Sequence, residues 1–269
     1  MITIIFAPPR TGKTSLMTHL LNESAYDRNR IRAMQGEIAR KNANGFNLSI
    51  PNHPVSANYD ITFRKFRYPI KKNRIINPYR LGFENPFVKT HFNLPYEVIG
   101  ITEAQKYLNS RMSKYFPDWQ SRWYEQHGHN NLDIYLDTQR PMLIDVNIRE
   151  LASFIDVLDL ERSYDDRGRI NMLTWYVRRI PNSQLFDQYM KSGKRDEDCY
   201  VEELITSTVD VFSCYDSQSC KPKFYAGHFG QDFDYDIATP AGETPDDYIR
   251  YLQENDDELP ANFYTKKVA

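Results

Sequence analysis

Apolar residues open the chain. Ile2, Ile4, Ile5 and Phe6 form a short, β-branched run that predicts a buried parallel strand. Leu16, Met17, Leu20 and Leu21 then recur at helical spacing and predict a helix. Val98 to Ile101 and Ile134-Tyr135-Leu136 predict two further short strands, and Asn171 to Ile180 another strand of the same sheet. Helical spacing returns at Ala104, Tyr107, Leu108, Met112 and Tyr115. It returns again at Ile148, Leu151, Ile155 and Leu158, where Asn147 to Glu150 has the form of a capping box. Strands alternating with helices predict an α/β fold with a mainly parallel sheet flanked by helices.

The polar stretch between the first strand and the first helix carries the most specific chemistry. It reads Ala7-Pro8-Pro9-Arg10-Thr11-Gly12-Lys13-Thr14, followed by Ser15. The pattern G-x-x-x-x-G-K-[ST] between a strand and a helix is a phosphate-binding loop. Its backbone N–H groups wrap the phosphates, and the helix N-terminus adds favourable dipole charge. Only the first glycine departs, and alanine there demands an ordinary φ. The loop predicts binding of ATP, with Lys13 reaching the β- and γ-phosphates and Thr14 holding Mg²⁺.

A hydrolytic site needs a second strand that ends in acid. After Val98–Ile101 comes Glu103, placed to activate water as a general base. The residue before it is Thr102, where an aspartate would ordinarily hold the magnesium shell. A threonine there can only hydrogen-bond a metal-bound water, which predicts weaker magnesium binding or help from another carboxylate. A third strand ends in Asp137-Thr138-Gln139. Gln139 sits where ligands bind in open α/β sheets, positioned to read the γ-phosphate or orient the attacking water. Arg149 is a candidate arginine finger toward a neighbouring copy, with Arg140, Arg178 and Arg179 as rivals. His127 and His129 lack carboxylate or cysteine companions and read as polar caps rather than metal ligands.

Composition narrows the setting. The chain has 269 residues, 41% hydrophobic and 26% charged, with a net charge of −2. No global field therefore draws it to nucleic acid, and any such contact must be local. One local patch stands out. From residue 61 to 83 there is no acid, while Arg64, Lys65, Arg67, Lys71, Lys72, Arg74 and Arg80 alternate with Phe63, Phe66, Tyr68, Tyr79 and Phe83. Cations neutralise phosphates and aromatics stack bases, so this window predicts a contact for single-stranded DNA. The bland alternative is a solvated hairpin whose aromatics return to the core. The bias reverses after residue 229, where acids from Asp232 to Glu258 meet one basic residue, Arg250. That divides the chain into an ATPase domain, 1–228, and an acidic tail, 229–269. Cys199, Cys214 and Cys220 form no C-x-x-C pair, which predicts a reduced, cytoplasmic setting. No run approaches the ~18 apolar residues of a membrane span, and the first apolar run leads into the loop rather than forming a signal peptide.

The N-terminal APPRTGKTS, the later VIGITEAQKYLNSR, the block HGHNNLDIYLDTQRP…IDVNIREL and the segment HPVSANYDITF together resemble the zonula occludens toxin-like ATPases. These are relatives of the filamentous-phage assembly ATPase. The resemblance covers roughly residues 1 to 160. It implies a RecA-like P-loop NTPase core of the class that includes the FtsK/HerA DNA motors. It also implies that the strand ending in Gln139 lies between the loop strand and the Glu103 strand. The implied role is ATP-driven export or packaging of single-stranded DNA by a homo-oligomeric ring, with a membrane-bound assembly partner at the inner face of the host membrane. Two other functions fit parts of the sequence. A nucleotide-gated scaffold with weak hydrolysis draws on Thr102. A small-molecule P-loop kinase would use the basic window as a lid. A GTPase is disfavoured, because N-K-x-D is lacking.

Overall fold

The run Ile2–Phe6 becomes β1, and all five of its residues are buried. It forms the centre of an eight-stranded sheet in a computed structural model that describes residues 1–46, 48–78, 81–82, 84–85, 90–91, 93–110 and 118–215. The helices are α1 (Lys13–Ala25), α2 (Arg28–Ala43), α3 (Asp118–Glu125), α4 (Val146–Glu150) and α5 (Ser183–Lys191). The sheet contains β1, β2 (Val55–Ala57), β5 (Arg74–Ile75), β8 (Val98–Ile101), β9 (Asp133–Thr138), β10 (Ala152–Tyr164), β11 (Ile170–Ile180) and β12 (Val201–Ser207). Two small hairpins, β3 (Thr62–Phe63) with β4 (Lys71–Lys72) and β6 (Glu84–Asn85) with β7 (Thr90–His91), stand outside it.

The strand order is β12-β11-β10-β1-β9-β8-β2-β5. Every pairing from β10 to β5 is parallel, and β11 and β12 add an antiparallel flank. The strand carrying Gln139 thus lies between β1 and β8, the order the resemblance implies. Register brings the strand ends level, with Ile5 opposite Asp137, Phe6 opposite both Thr138 and Asp156, and Ile101 opposite Leu136. Ligand-binding chemistry in open parallel sheets gathers along this C-terminal edge.

Alternation of side chains across the sheet divides the core. Ile5, Val98, Ile155, Val157 and Trp175 face α1, while Ile4, Phe6, Ile99, Leu136 and Phe154 face α4 and α5. At Gly100 an added Cβ would stand 2.5 Å from Leu21 Cδ1, so a side chain there would have to displace the Leu21 tip where α1 packs on β8.

Three local expectations fail. The apolar spacing of Ile148, Leu151, Ile155 and Leu158 does not mark one helix. α4 ends at Glu150 and β10 begins at Ala152, pairing with the open edge of β1. That edge offers a row of backbone hydrogen bonds, and residues 152–157 are apolar or β-branched enough to take them. Leu158 is accordingly exposed. The cap of α4 also lies earlier than the box at Asn147, since Asp145 accepts the Asn147 N–H at 2.9 Å. After Glu103 a single 3-10 turn, Ala104–Lys106, replaces the expected helix, and Asn109 then bridges to Ile144. Met112 and Tyr115, Tyr79, Arg80 and Phe83, Cys220 and the acidic tail 229–269 lie outside the described residues.

Candidate nucleotide site

The loop between β1 and α1 lies at the C-terminal edge of the sheet. Its positive-φ positions are Arg10 (φ 68°) and Gly12 (φ 90°), not Ala7, which is buried. Alanine costs little at position 7 because no left-handed conformation is needed there. At Gly12 it would cost more, since an added Cβ would come within 2.9 Å of Leu160 Cδ2. The Thr11 hydroxyl donates to Pro8 O at 2.7 Å, and the buried Lys13 ammonium lies 3.5 Å from the same carbonyl. Ser15 donates to Gly12 O at 2.8 Å and accepts from the Trp175 indole N–H at 3.2 Å, fixing the first turn of α1 to β11. Pro8, Pro9 and Arg10 are exposed on the crown of the loop.

Beside the loop is Asp137, at the end of β9, only 1% exposed. Its Oδ2 accepts from the Thr14 hydroxyl at 2.6 Å and from the Thr102 hydroxyl at 3.0 Å, and its Oδ1 accepts the Glu103 backbone N–H at 3.0 Å. One carboxylate therefore joins the loop, β8 and β9. Burial pushes its pKa above the usual carboxylate range, against the opposing pull of those hydrogen bonds and of Lys13. A buried anion short of compensation is the setting that a divalent cation relieves. Thr14 and Asp137 fit Mg²⁺, which takes one or two carboxylates and fills its other positions with water and phosphate oxygens. Thr102, considered from sequence as a metal ligand, donates to the same Asp137 oxygen as Thr14 does.

Glu103 adopts a left-handed backbone (φ 54°, ψ 42°) at the head of its 3-10 turn. Such a conformation costs a non-glycine residue about 1 kcal/mol or more, and the Asp137 bond to its N–H helps hold it. The Glu103 carboxylate accepts from Gln105 Nε2 at 2.8 Å and from Gln139 Nε2 at 3.4 Å, and Lys106 Nζ lies 3.6 Å away. Gln139 is exposed and Glu103 half-buried, so the pair faces the open edge next to Lys13 and Thr14.

Loop, sheet order and edge chemistry agree. This is a P-loop NTPase fold. Among solved structures the chain is similar to the N-terminal domain of zonular occludens toxin from Neisseria meningitidis, at 17% identity and a TM-score of 0.47, covering 80% of this chain and 98% of that one. It is also similar to the genome packaging NTPase B204 from Sulfolobus turreted icosahedral virus 2. The form in complex with ATP-gammaS gives 11% identity and a TM-score of 0.29, over 65% of this chain and 91% of that one. The form in complex with AMPPCP gives 10% identity and a TM-score of 0.29 over the same shares. No family model matches the chain, and no curated protein matches it. The roles of individual residues rest on the geometry above.

The arginines separate by position. Arg149 lies just before Ala152, which pairs with Ile2, so it stands toward the N-terminal end of the sheet, away from the loop. Its Nε donates to Ile144 O at 3.1 Å. Arg178 and Arg179 are engaged by Glu202 and Glu203 on β12. Arg140, exposed beside Gln139, is the rival at the C-terminal edge. His127 donates from Nδ1 to Tyr124 O at 2.6 Å, as a turn cap does. Asp137 was not among the residues singled out by sequence, although it adjoins Thr138-Gln139. The available signal was the neutral Thr102, which required a carboxylate from a neighbouring strand.

Proposed function

We propose that this chain binds ATP with Mg²⁺ and hydrolyses it as a motor of the FtsK/HerA-like class in filamentous-phage assembly, driving export of single-stranded DNA. The observation that carries the ATPase reading is the Asp137 carboxylate, bonded at once to the loop hydroxyl of Thr14 and the amide of Glu103. Loop amides from Ala7 to Ser15 and the Lys13 ammonium bind the phosphates, while Thr14 and Asp137 hold the cation. Mg²⁺ supplies charge neutralisation on the phosphate oxygens when bound. Glu103 takes the proton of the attacking water, and Gln139 orients that water. The scaffold alternative draws on the neutral Thr102, and the buried Asp137 beside it favours the hydrolytic reading.

The finer parts of the reading are a homo-oligomeric ring, an arginine (Arg149 or Arg140) acting on a neighbour's nucleotide, and a membrane-bound partner that stations the motor at the inner face of the host membrane. An ATPase domain over 1–228 and an acidic tail over 229–269 complete it. The test is ATP hydrolysis by the purified chain, with and without single-stranded DNA, beside Lys13→Ala. Turnover that depends on Mg²⁺, rises with DNA and vanishes with Lys13 supports the proposal. Turnover unchanged by Lys13→Ala defeats it.

A further inference from the structure

Residues 62–72 of the basic window form the β3–β4 hairpin, and the fold holds that hairpin by its base. Asn22 of α1 brackets Arg64, donating to its carbonyl at 3.0 Å and accepting its N–H at 2.9 Å. The Tyr26 hydroxyl reaches the carbonyls of Phe63 (2.9 Å) and Pro69 (3.0 Å) on opposite arms. Lys71 donates to Ala25 O at 2.9 Å and Asn52 O at 3.1 Å. Arg74 pairs with the buried Glu97, and Lys65 with Glu23 at 2.8 Å. Three of the window's cations are thus spent on internal contacts, and Phe63 is buried in the core.

The tip is different. Tyr68 N–H closes a turn on Lys65 O at 3.0 Å, and Arg67 within it has a φ of 65°. The turn carries Phe66, 82% exposed, and ends at the exposed Tyr68, while Ile70, 66% exposed, follows two residues later on the way to β4. Arg64 and Arg67 are exposed in the same loop and Lys72 is exposed on β4 just after it, and among the described residues no ion pair involves these three. The Arg67 guanidinium lies 5.0 Å over the Phe66 ring, and Arg28 of α2 lies 5.6 Å over that of Tyr68. A braced base prevents the apolar tip from folding back onto the core.

We infer that this tip docks on an anionic lipid bilayer, with Phe66 and Ile70 entering the headgroup–acyl boundary and Arg64, Arg67 and Lys72 meeting lipid phosphates. Apolar side chains ringed by cations are the chemistry of interfacial membrane contact. Single-stranded nucleic acid calls instead for a groove that tracks the backbone, with aromatic faces as platforms. Here the surface is the exposed loop between β3 and β4, and one of its two most exposed apolar residues, Ile70, is aliphatic. Bilayer docking is independent of the nucleotide site, so a chain inactive toward ATP still docks.

The test is co-sedimentation of the full chain with vesicles of phosphatidylglycerol and phosphatidylcholine, with phosphatidylcholine vesicles as the neutral control. The chain sediments with the anionic vesicles and not with the neutral ones. Phe66→Ser combined with Ile70→Ser abolishes sedimentation and leaves the circular dichroism and unfolding midpoint at parent values, since both side chains are exposed. Replacing Arg64, Arg67 and Lys72 with glutamine weakens binding about fivefold per charge. Failure to sediment with anionic vesicles overturns the inference, as does sedimentation that the Phe66/Ile70 variant leaves unchanged. A labelled oligothymidylate that binds the parent and is released by the same apolar variant, with no vesicle binding, overturns it in favour of a nucleic-acid contact.

Discussion

The Thr102 hydroxyl donates to Asp137 Oδ2 at 3.0 Å, so the acid lacking at the end of β8 stands one strand over, at the end of β9. The same oxygen receives Thr14 at 2.6 Å. An aspartate at position 102 would therefore not stand alone. A second carboxylate would lie within hydrogen-bonding reach of a buried one, and two such groups cannot both ionise without a cation.

Thr102→Asp should therefore destabilise the metal-free chain by on the order of 3 kcal/mol at pH 8. Like-charge repulsion raises the folded pKa of the pair above the unfolded value. The cost is then absent where both states are protonated, and grows as pH rises from the unfolded pKa through the folded one. Urea unfolding in chelator at pH 5 and pH 8 measures it, and magnesium with nucleotide should restore part of the loss. A variant as stable as the parent at both pH values would show that the two side chains do not share the site.

Asp137→Asn keeps the shape of the side chain and removes its charge. The magnesium concentration for half-maximal turnover should rise by roughly 10–100-fold. Nucleotide binding in chelator should change little, because Lys13 and the loop amides are untouched. A magnesium titration of ATP hydrolysis beside a metal-free binding assay separates the two, and an unshifted magnesium midpoint would remove Asp137 from the cation shell.

The strands β1, β8 and β9 were legible because each contains a short apolar run ending at a polar loop. The phosphate loop was legible because strand, loop and helix follow one another directly. Asp137 was not, because its role depends on register. Only when Ile101 falls opposite Leu136 and Ile5 opposite Asp137 do Thr14, Thr102 and the Glu103 amide converge on one carboxylate. Ile148 to Leu158 misled for another non-local reason. Apolar positions three and four apart predict a helix, but the open edge of β1 took residues from Ala152 onward as a strand. In the basic window, composition could not tell Lys71 and Arg74, bound internally, from Arg67 and Lys72 at the surface.

Glu103→Gln removes the proposed base while keeping an acceptor for Gln105. Turnover should fall ~10²–10⁴-fold with nucleotide affinity close to the parent's. Single-turnover hydrolysis with an independent binding measurement reads both quantities. If turnover survives at the parent rate, the proton goes elsewhere.

The last prediction concerns pH and stability. His53 is buried, its Nδ1 accepts the Val55 N–H at 3.1 Å, and its Nε2 donates to Lys72 O at 2.5 Å. The neutral ring satisfies both bonds, whereas the charged ring turns Nδ1 into a donor facing another donor. Burial lowers the His53 pKa, and Lys71 and Arg74 add to that, against the opposing pull of the Lys72 carbonyl and Glu97. His19, buried and stacked on Trp175, is also lowered by burial. A folded pKa below the unfolded one contributes stability that is complete above the unfolded value, about 6.5, and is lost as pH falls through the folded value. Stability should thus decline between about pH 6.5 and pH 5, by about 1.4 kcal/mol for each unit by which a histidine is depressed. His53→Gln cannot protonate, so its stability deficit relative to the parent should shrink as pH falls across that window. Urea unfolding of both chains at pH 8, 7, 6 and 5 compares the deficits directly and cancels the carboxylates they share. A deficit that stays constant from pH 8 to pH 5 would show that His53 does not titrate there, leaving His19 as the candidate for any decline that remains.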